Sequence, residues 1–198
     1  MGFIGFYNYT VVLTYISLIS SLVGMLMAAQ GKSAIAIGLL LLSGVCDMFD
    51  GIVARSKKNR TEDEKNFGIQ LDSLCDVVCF GVFPAVFLYF SGVNSILGIC
   101  ILVFYALCGL IRLAFFNVLE TKRQMNEDGC AKSYRGLPIT TAAIIFPIFF
   151  GISLFCPDNI MTVIYHIVPV LTGFLFICDF RLPKIDYVKL VKKLLKKA

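Results

Sequence analysis

Two aspartates, Asp47 and Asp50, interrupt the end of an apolar run that begins near Ser33, and two more, Asp72 and Asp76, interrupt the start of the next one. A carboxylate at membrane depth is costly, so each is read first as functional. On a helix, Asp47, Asp50, Gly51 and Ala54 fall along one stripe, and Arg55 closes the run. Gly68, Asp72 and Asp76 make a matching i, i+4 stripe on a helix that runs the other way. At about 1.5 Å per residue, Asp50 and Asp47 lie about 7 and 12 Å in from Arg55, and Asp72 and Asp76 about 6 and 12 Å in from Gly68. The four carboxylates are therefore expected to meet across one antiparallel hairpin.

Four carboxylates gathered in a low-dielectric site repel one another unless cations neutralise them. Two divalent metals are the economical answer. All-oxygen donors favour Mg²⁺ or Mn²⁺ over zinc, and a cluster large enough for two ions suits two-metal phosphoryl chemistry. Gly51, Ala54 and Gly68 carry little or no side chain, which lets a ligand approach helix backbone closely. Arg55 can hold a phosphate in its fork. Small residues on membrane helices also serve helix packing. Four acids at matched depth beside an arginine make a ligand site the stronger reading.

The elements that must position these residues follow from composition. The chain has 198 residues, is 58% hydrophobic and has a mean hydropathy of +0.84, far too apolar for an ordinary soluble domain. Six runs reach roughly the 20 residues that a spanning helix needs: 9–29, 33–55, 68–91, 94–118, 137–155 and 160–179. The expected fold is an all-α integral membrane protein, a six-transmembrane-helix bundle occupying residues 1–180. The first run lacks a basic n-region and a small-residue cleavage site and is read as a retained helix.

Of the 18 lysines and arginines, only Lys32 falls in the short turns 30–33, 91–95 and 156–159. The positive-inside rule then makes the other ends cytoplasmic, with both termini inside and the carboxylates facing the cytoplasm of a multi-pass cell-membrane protein. The formal net charge of +5 fits attraction to anionic membrane lipid, and nucleic acid need not be invoked. Residues 181–198 form a basic amphipathic tail, "KIDYVKLVKKLLKKA", with Leu and Val at helical spacing between lysines; it reads as an interfacial helix that anchors topology or senses anionic lipid. Cysteines 46, 75, 79, 100, 108 and 178 lack a paired CxxC spacing and read as packing residues, and His166 stands alone near the outer end of the last run.

"DMFDGIVAR" followed by "GIQLDSLCD" resembles the signature of the CDP-alcohol phosphotransferase family, DxxDGxxAR and then GxxxDxxxD. The match is complete in Asp47, Asp50, Gly51, Ala54, Arg55, Gly68, Asp72 and Asp76. Twelve residues separate Arg55 from Gly68 where the family commonly has about eight, with "RTEDEK" expected to extend the loop. "FGIQLDSLCDVVCFGVFPA", "IRLAFFNV" and "YRGLPITTAA" are similar to the phosphatidylserine synthase branch, although Phe115 and Thr140 stand where that branch usually has arginine and proline.

The resemblance implies a six-helix homodimer that joins L-serine to a CDP-diacylglycerol. It implies that Asp47, Asp50 and Asp72 are chiefly metal ligands, and that Asp76 both lies against the metals and acts as general base on the serine hydroxyl. Gly51, Ala54, Arg55 and Gly68 would line the CDP-lipid site. Arg112, Asn117, Lys132, Tyr134 and Arg135 are the candidates for binding the acceptor, with Arg112 or Arg135 first for the serine carboxylate. Asn8, Thr10, Thr14 and Ser17 could contact the nucleotide or make interhelical hydrogen bonds. Three rivals stay open: a sister enzyme using glycerol 3-phosphate or inositol phosphate, a divalent-cation transporter with an intramembrane carboxylate site, and an inactive scaffold that keeps the fold for partner binding.

Overall fold

Asn8 opens the helical part of the chain by accepting the Thr10 N–H at 3.0 Å and capping a 3-10 turn, Tyr9–Val11. That turn runs into α1 (Val12–Ala29), and Gly31, at φ +73°, provides the left-handed turn before α2 (Ser33–Ser56). The two helices pack closely on each other. Their buried seam is polar at one level: Ser17 Oγ lies 2.7 Å from Ser43 Oγ, and Ser21 Oγ donates to Ser43 Oγ at 3.0 Å. Hydroxyls paired across helices avoid unsatisfied polar groups in an apolar surround. The computed structural model describes residues 4–57, 60–125 and 133–183.

Helix α3 (Glu62–Asp76) starts earlier than expected, and this corrects the reading of "RTEDEK" as loop. Thr61 Oγ1 accepts the Glu64 N–H and Glu64 Oε2 accepts the Thr61 N–H, both at 3.2 Å, which completes a capping box. Glu62, Asp63 and Glu64 also place negative charge in the first turn, where the helix dipole favours it. Lys57 ties the end of α2 to this start through an ion pair with Glu64 at 2.9 Å. The helix that carries Asp72 and Asp76 is thus fixed by its own sequence about three turns before Asp72.

Directly after Asp76 the helix widens into a π-helical turn, Val77–Val82, and then continues as α4 (Phe83–Phe90). Pro84 has no N–H to offer the Phe80 carbonyl one turn back. The buried Tyr105 hydroxyl from α5 (Ile96–Met125) donates to that carbonyl at 2.5 Å instead. A side chain at Gly24 of α1 would run into the Phe83 ring, so glycine here lets α1 and α4 close up. Tyr105, Phe80, Phe83, Phe87 and Phe176 are among the largest fully buried side chains and form the centre of the core.

Helix α5 extends past the expected end at Val118, because residues 119–125 are mostly good helix formers. It packs on α7 (Asp158–Ile177), where a Gly173 Cβ would come within 3.2 Å of the Tyr105 Cα. Between them lies α6 (Ala142–Ser153), entered through a 3-10 turn at Ile139–Thr141. The expected run 137–155 is helical only over Ile139–Ser153, which falls short of the roughly 20 residues needed to span. Among the described residues, then, five helices are long and apolar enough to cross a membrane, beside one shorter apolar helix. Many large apolar side chains on the outer faces are exposed, as lipid-facing surfaces require. The chain is a multi-pass membrane protein.

The fold is all-helical as expected, apart from one pair of three-residue strands. β1 (Ser133–Arg135) pairs antiparallel with β2 (Arg181–Pro183), with Tyr134 opposite Leu182 and Arg135 opposite Arg181. Gly136 follows β1 at φ +70° and donates to the Phe180 carbonyl at 2.8 Å, and the Leu137 N–H donates to the Leu175 carbonyl at 3.1 Å. A Cβ on Gly136 would meet the Phe176 carbonyl oxygen at 2.8 Å. The loop after α5 is therefore tied to the end of α7 by backbone contacts, a pairing that alternation of residue types did not signal. Residues 184–198 of the tail lie outside the described residues.

Candidate active site

Helices α2 and α3 bring the signature carboxylates together. Carboxylate oxygens of Asp47, Asp50 and Asp72 lie within 4.8 Å of one another, and all three side chains are half-buried. The side chain of Asp76 interacts with that of Asp47, and the side chain of Asp72 with that of Asp50. The four acids form one cluster with two close contacts across the hairpin, as their matched depths require. Thr14 of α1 adds a hydroxyl, donating to Asp50 Oδ2 at 3.4 Å.

The donor set fits a hard divalent cation. Ligand oxygens about an ion of Mg²⁺ size stand at 2.0–2.1 Å from it, and three carboxylates already within 4.8 Å of one another need only small rotations to converge. A cluster of hydroxyls or amides would lack the negative charge; a thiol set would select softer metals. The buried cysteines nearest in sequence, Cys46 and Cys75, are free thiols.

The small residues flank this cluster on its loop side. Gly51 and Ala54 lie in the last two turns of α2, half-buried, and Gly68 lies one turn before Asp72. Space at Gly68 is not empty: the Arg60 guanidinium lies against it, with Nη2 2.6 Å from where a Cβ would stand. Arg55 is in the last turn of α2, and its side chain lies outside the described part of the structure.

Of the acceptor candidates, Arg112 is brought to the cluster. It is buried on α5, 9% exposed, with its guanidinium carbon 5.1 Å from the centre of the Phe116 ring. Its charge acts on Asp47. Asn117 sits one and a half turns further along α5, where its Oδ1 accepts the Ser73 hydroxyl at 2.9 Å. It also lines a polar cavity of about 220 Å³ between α3 and α5 with Asn66, Gln70, Glu120 and Thr121. Tyr134 and Arg135 lie in β1, with side chains outside the description, and Lys132 lies outside the described residues.

Sequence reasoning missed Ser73, Arg60 and the residues that line the cavity beside Asn117. Asn66, Gln70 and Ser73 recur at helical spacing beside the Asp72 stripe, a signal that was there to be used. Ser17 of α1 turns to Ser43, an interhelical hydrogen bond, whereas Asn8, ahead of α1, caps its own turn. Thr14 is the exception that reaches a signature acid. His166 is half-buried, its Nδ1 donating to the Thr162 carbonyl of its own helix at 2.7 Å.

Apolar helices around an oxygen-rich acidic cluster, with small residues at its mouth, define a membrane-embedded site suited to divalent cations and phosphates. The chain belongs to the CDP-alcohol phosphatidyltransferase family, whose model matches residues 7–175. It is similar to the CDP-diacylglycerol–serine O-phosphatidyltransferase of Methanocaldococcus jannaschii, 36% identical over 169 residues that cover 84% of this chain and 74% of that protein. To the archaetidylserine synthase of Methanothermobacter thermautotrophicus it is 36% identical over 132 residues, covering 66% and 52%. With the CDP-diacylglycerol–serine O-phosphatidyltransferase of Saccharomyces cerevisiae it shares 44% identity over 110 residues, covering 53% and 38%. The chain thus spans about three-quarters of the first relative and about half or less of the other two. No solved structure matches it significantly.

Proposed function

We propose that this protein transfers the phosphatidyl group of a CDP-diacylglycerol to the hydroxyl of L-serine, giving phosphatidylserine and CMP. The observation that carries this reading is the meeting of Asp47, Asp50, Asp72 and Asp76 across the α2–α3 hairpin of a chain in this family. Relatives named for serine phosphatidyl transfer support the choice of acceptor.

Asp47, Asp50, Asp72 and Asp76 would hold two divalent cations, Mg²⁺ or Mn²⁺, which when bound neutralise charge on the transferring phosphoryl group. Gly51 and Ala54 leave room for the cytidine diphosphate, with Gly68 close to it, and Arg55 takes a phosphate in its fork. Asp76 accepts the proton of the serine hydroxyl as its oxygen attacks the lipid-side phosphorus in line. The bond from that phosphorus to the bridging oxygen breaks, and CMP leaves with the oxygen. Arg112, buried beside Asp47, binds the serine carboxylate, with Asn117, Lys132, Tyr134 and Arg135 lining the approach.

The short apolar helix Ile139–Ser153 is read as the remaining span of a six-helix bundle in a cell membrane, with both termini and the site facing the cytoplasm and two copies forming a homodimer. The distribution of lysine and arginine supports the orientation. Product analysis decides the acceptor: purified protein receives CDP-diacylglycerol with L-serine, glycerol 3-phosphate or inositol phosphate in competition. Phosphatidylserine is the expected product, and a phosphorylated lipid product in its place would move the chain to a sister activity.

A further inference from the structure

Arg60 lies in the long spacer between the two halves of the signature, outside every residue assigned above. Its Nη1 donates to the Ala54 carbonyl at 3.3 Å and its Nη2 to the Glu64 carbonyl at 3.1 Å. Its Nε is buried and has no hydrogen-bond partner. Glu64, four residues on, gives its carboxylate to Lys57 and to the Thr61 N–H, and no ion pair to Arg60 is present among the described residues. Among the described residues, a half-buried guanidinium is thus held by two neutral carbonyls, with its buried Nε idle and no anion paired with it.

Such a cation is under-compensated. Two carbonyl dipoles do not replace the hydration that burial removes, and a guanidinium has five N–H donors arranged to match an oxyanion side-on. Its position says where that anion would come from. It bonds the backbone of Ala54 and fills the space beside Gly68, the two residues that flank the carboxylate cluster from α2 and α3. A phosphate docked beside Ala54 and Gly68 would lie next to the Arg60 guanidinium. The side chain reaches this place because the spacer's last residue before Thr61 is fixed by the capping box, with the chain turning into α3 directly after it.

We propose that Arg60 is a binding residue for the CDP-lipid donor, its Nε and one Nη taking an oxygen of the donor's pyrophosphate. The proposal rests on the donor reading above and adds to it a cation that the signature does not contain. The Nη1 contact to Ala54 is exchanged for the phosphate, while Nη2 keeps Glu64 and so keeps the guanidinium in place.

Calorimetric titration of the purified full-length protein with CDP in Mg²⁺ tests this, using wild type, Arg60→Gln and Arg60→Lys. Loss of a charge-assisted contact weakens CDP binding about 10- to 100-fold in Arg60→Gln, with Arg60→Lys between the two because it keeps the charge without the fork. The KM for CDP-diacylglycerol rises in step while kcat stays within about threefold. CDP affinity equal to wild type in either variant overturns the proposal, and so does a fall in kcat and thermal midpoint at unchanged CDP affinity, which is the behaviour of a structural strut. Wild type that fails to bind CDP would instead refute the donor reading itself. Should Arg60→Gln not fold, Arg60→Lys, which retains a donor for the backbone carbonyls, gives the same decision.

Discussion

Replacing Asp72 by asparagine changes charge at almost constant shape and keeps a group able to hydrogen-bond Asp50. Three carboxylate oxygens stand within 4.8 Å of one another, and two unit charges at that separation repel by about 3.5 kcal/mol at an effective dielectric of about 20. Asp72 takes part in two of the three pairs. Screening at half-exposed side chains cuts this several-fold, leaving a metal-free gain of about 1–2 kcal/mol, or roughly 2–8 °C in midpoint for a chain of this size. Metal at a hundred times its dissociation constant adds about 2.7 kcal/mol to the wild type, whereas a hundredfold weaker site would gain only about 0.4 kcal/mol. The two effects have opposite signs. The chain has no tryptophan, but Cys46, Cys75, Cys79 and Cys108 are buried free thiols, so a maleimide dye reports unfolding as they become exposed. Asp72→Asn is expected to melt higher than wild type without metal and to lose the rise that Mg²⁺ or Mn²⁺ produces. A variant that melts lower without metal and keeps the full metal shift would refute the placement of these acids as a shared cation site.

Asp76→Asn removes the expected base while leaving the side chain's size, and should lower kcat about 10²- to 10⁴-fold with little change in the KM for CDP-diacylglycerol, read from CMP release. Tyr105→Phe leaves the Phe80 carbonyl, which Pro84 cannot serve, without its donor; a loss of about 1–3 kcal/mol is expected, seen as a lower thermal midpoint by the same thiol assay. Gly136→Ala forces a side chain into a left-handed conformation at φ +70°, at a cost of about 1–2 kcal/mol before the clash with the Phe176 carbonyl. Because that strain falls on the β1–β2 connection, the KM for serine should rise while CDP affinity is unchanged, and the reverse pattern would separate this loop from the acceptor.

The carboxylate hairpin was legible because period 3.6 and membrane depth leave few ways to place four acids in two opposed runs. Asp47, Asp50, Asp72 and Asp76 meet as the spacing requires. The start of α3 was misplaced because its first turn is acidic and polar, which reads as loop in a hydropathy profile, although Thr61 and Glu64 form a capping box that announces a helix. The run 137–155 was long enough in composition, yet Pro138 delays its helix and the chain leaves it at Ser153. The β1–β2 pairing joins residues some fifty positions apart through backbone groups alone, and no local pattern records such a contact. Arg60 was passed over for a related reason: its partners are carbonyls, to which residue type is silent.

Metal-dependent CMP release is the most direct test of the central claim. Purified protein in lipid receives CDP-diacylglycerol and L-serine, with and without a chelator, in wild type and Asp76→Asn. Serine-dependent release that the chelator stops, that Mg²⁺ or Mn²⁺ restores and that Asp76→Asn lacks is the predicted result. Release that persists in chelator, or in Asp76→Asn at the wild-type rate, would contradict a reaction built on this cluster of acids.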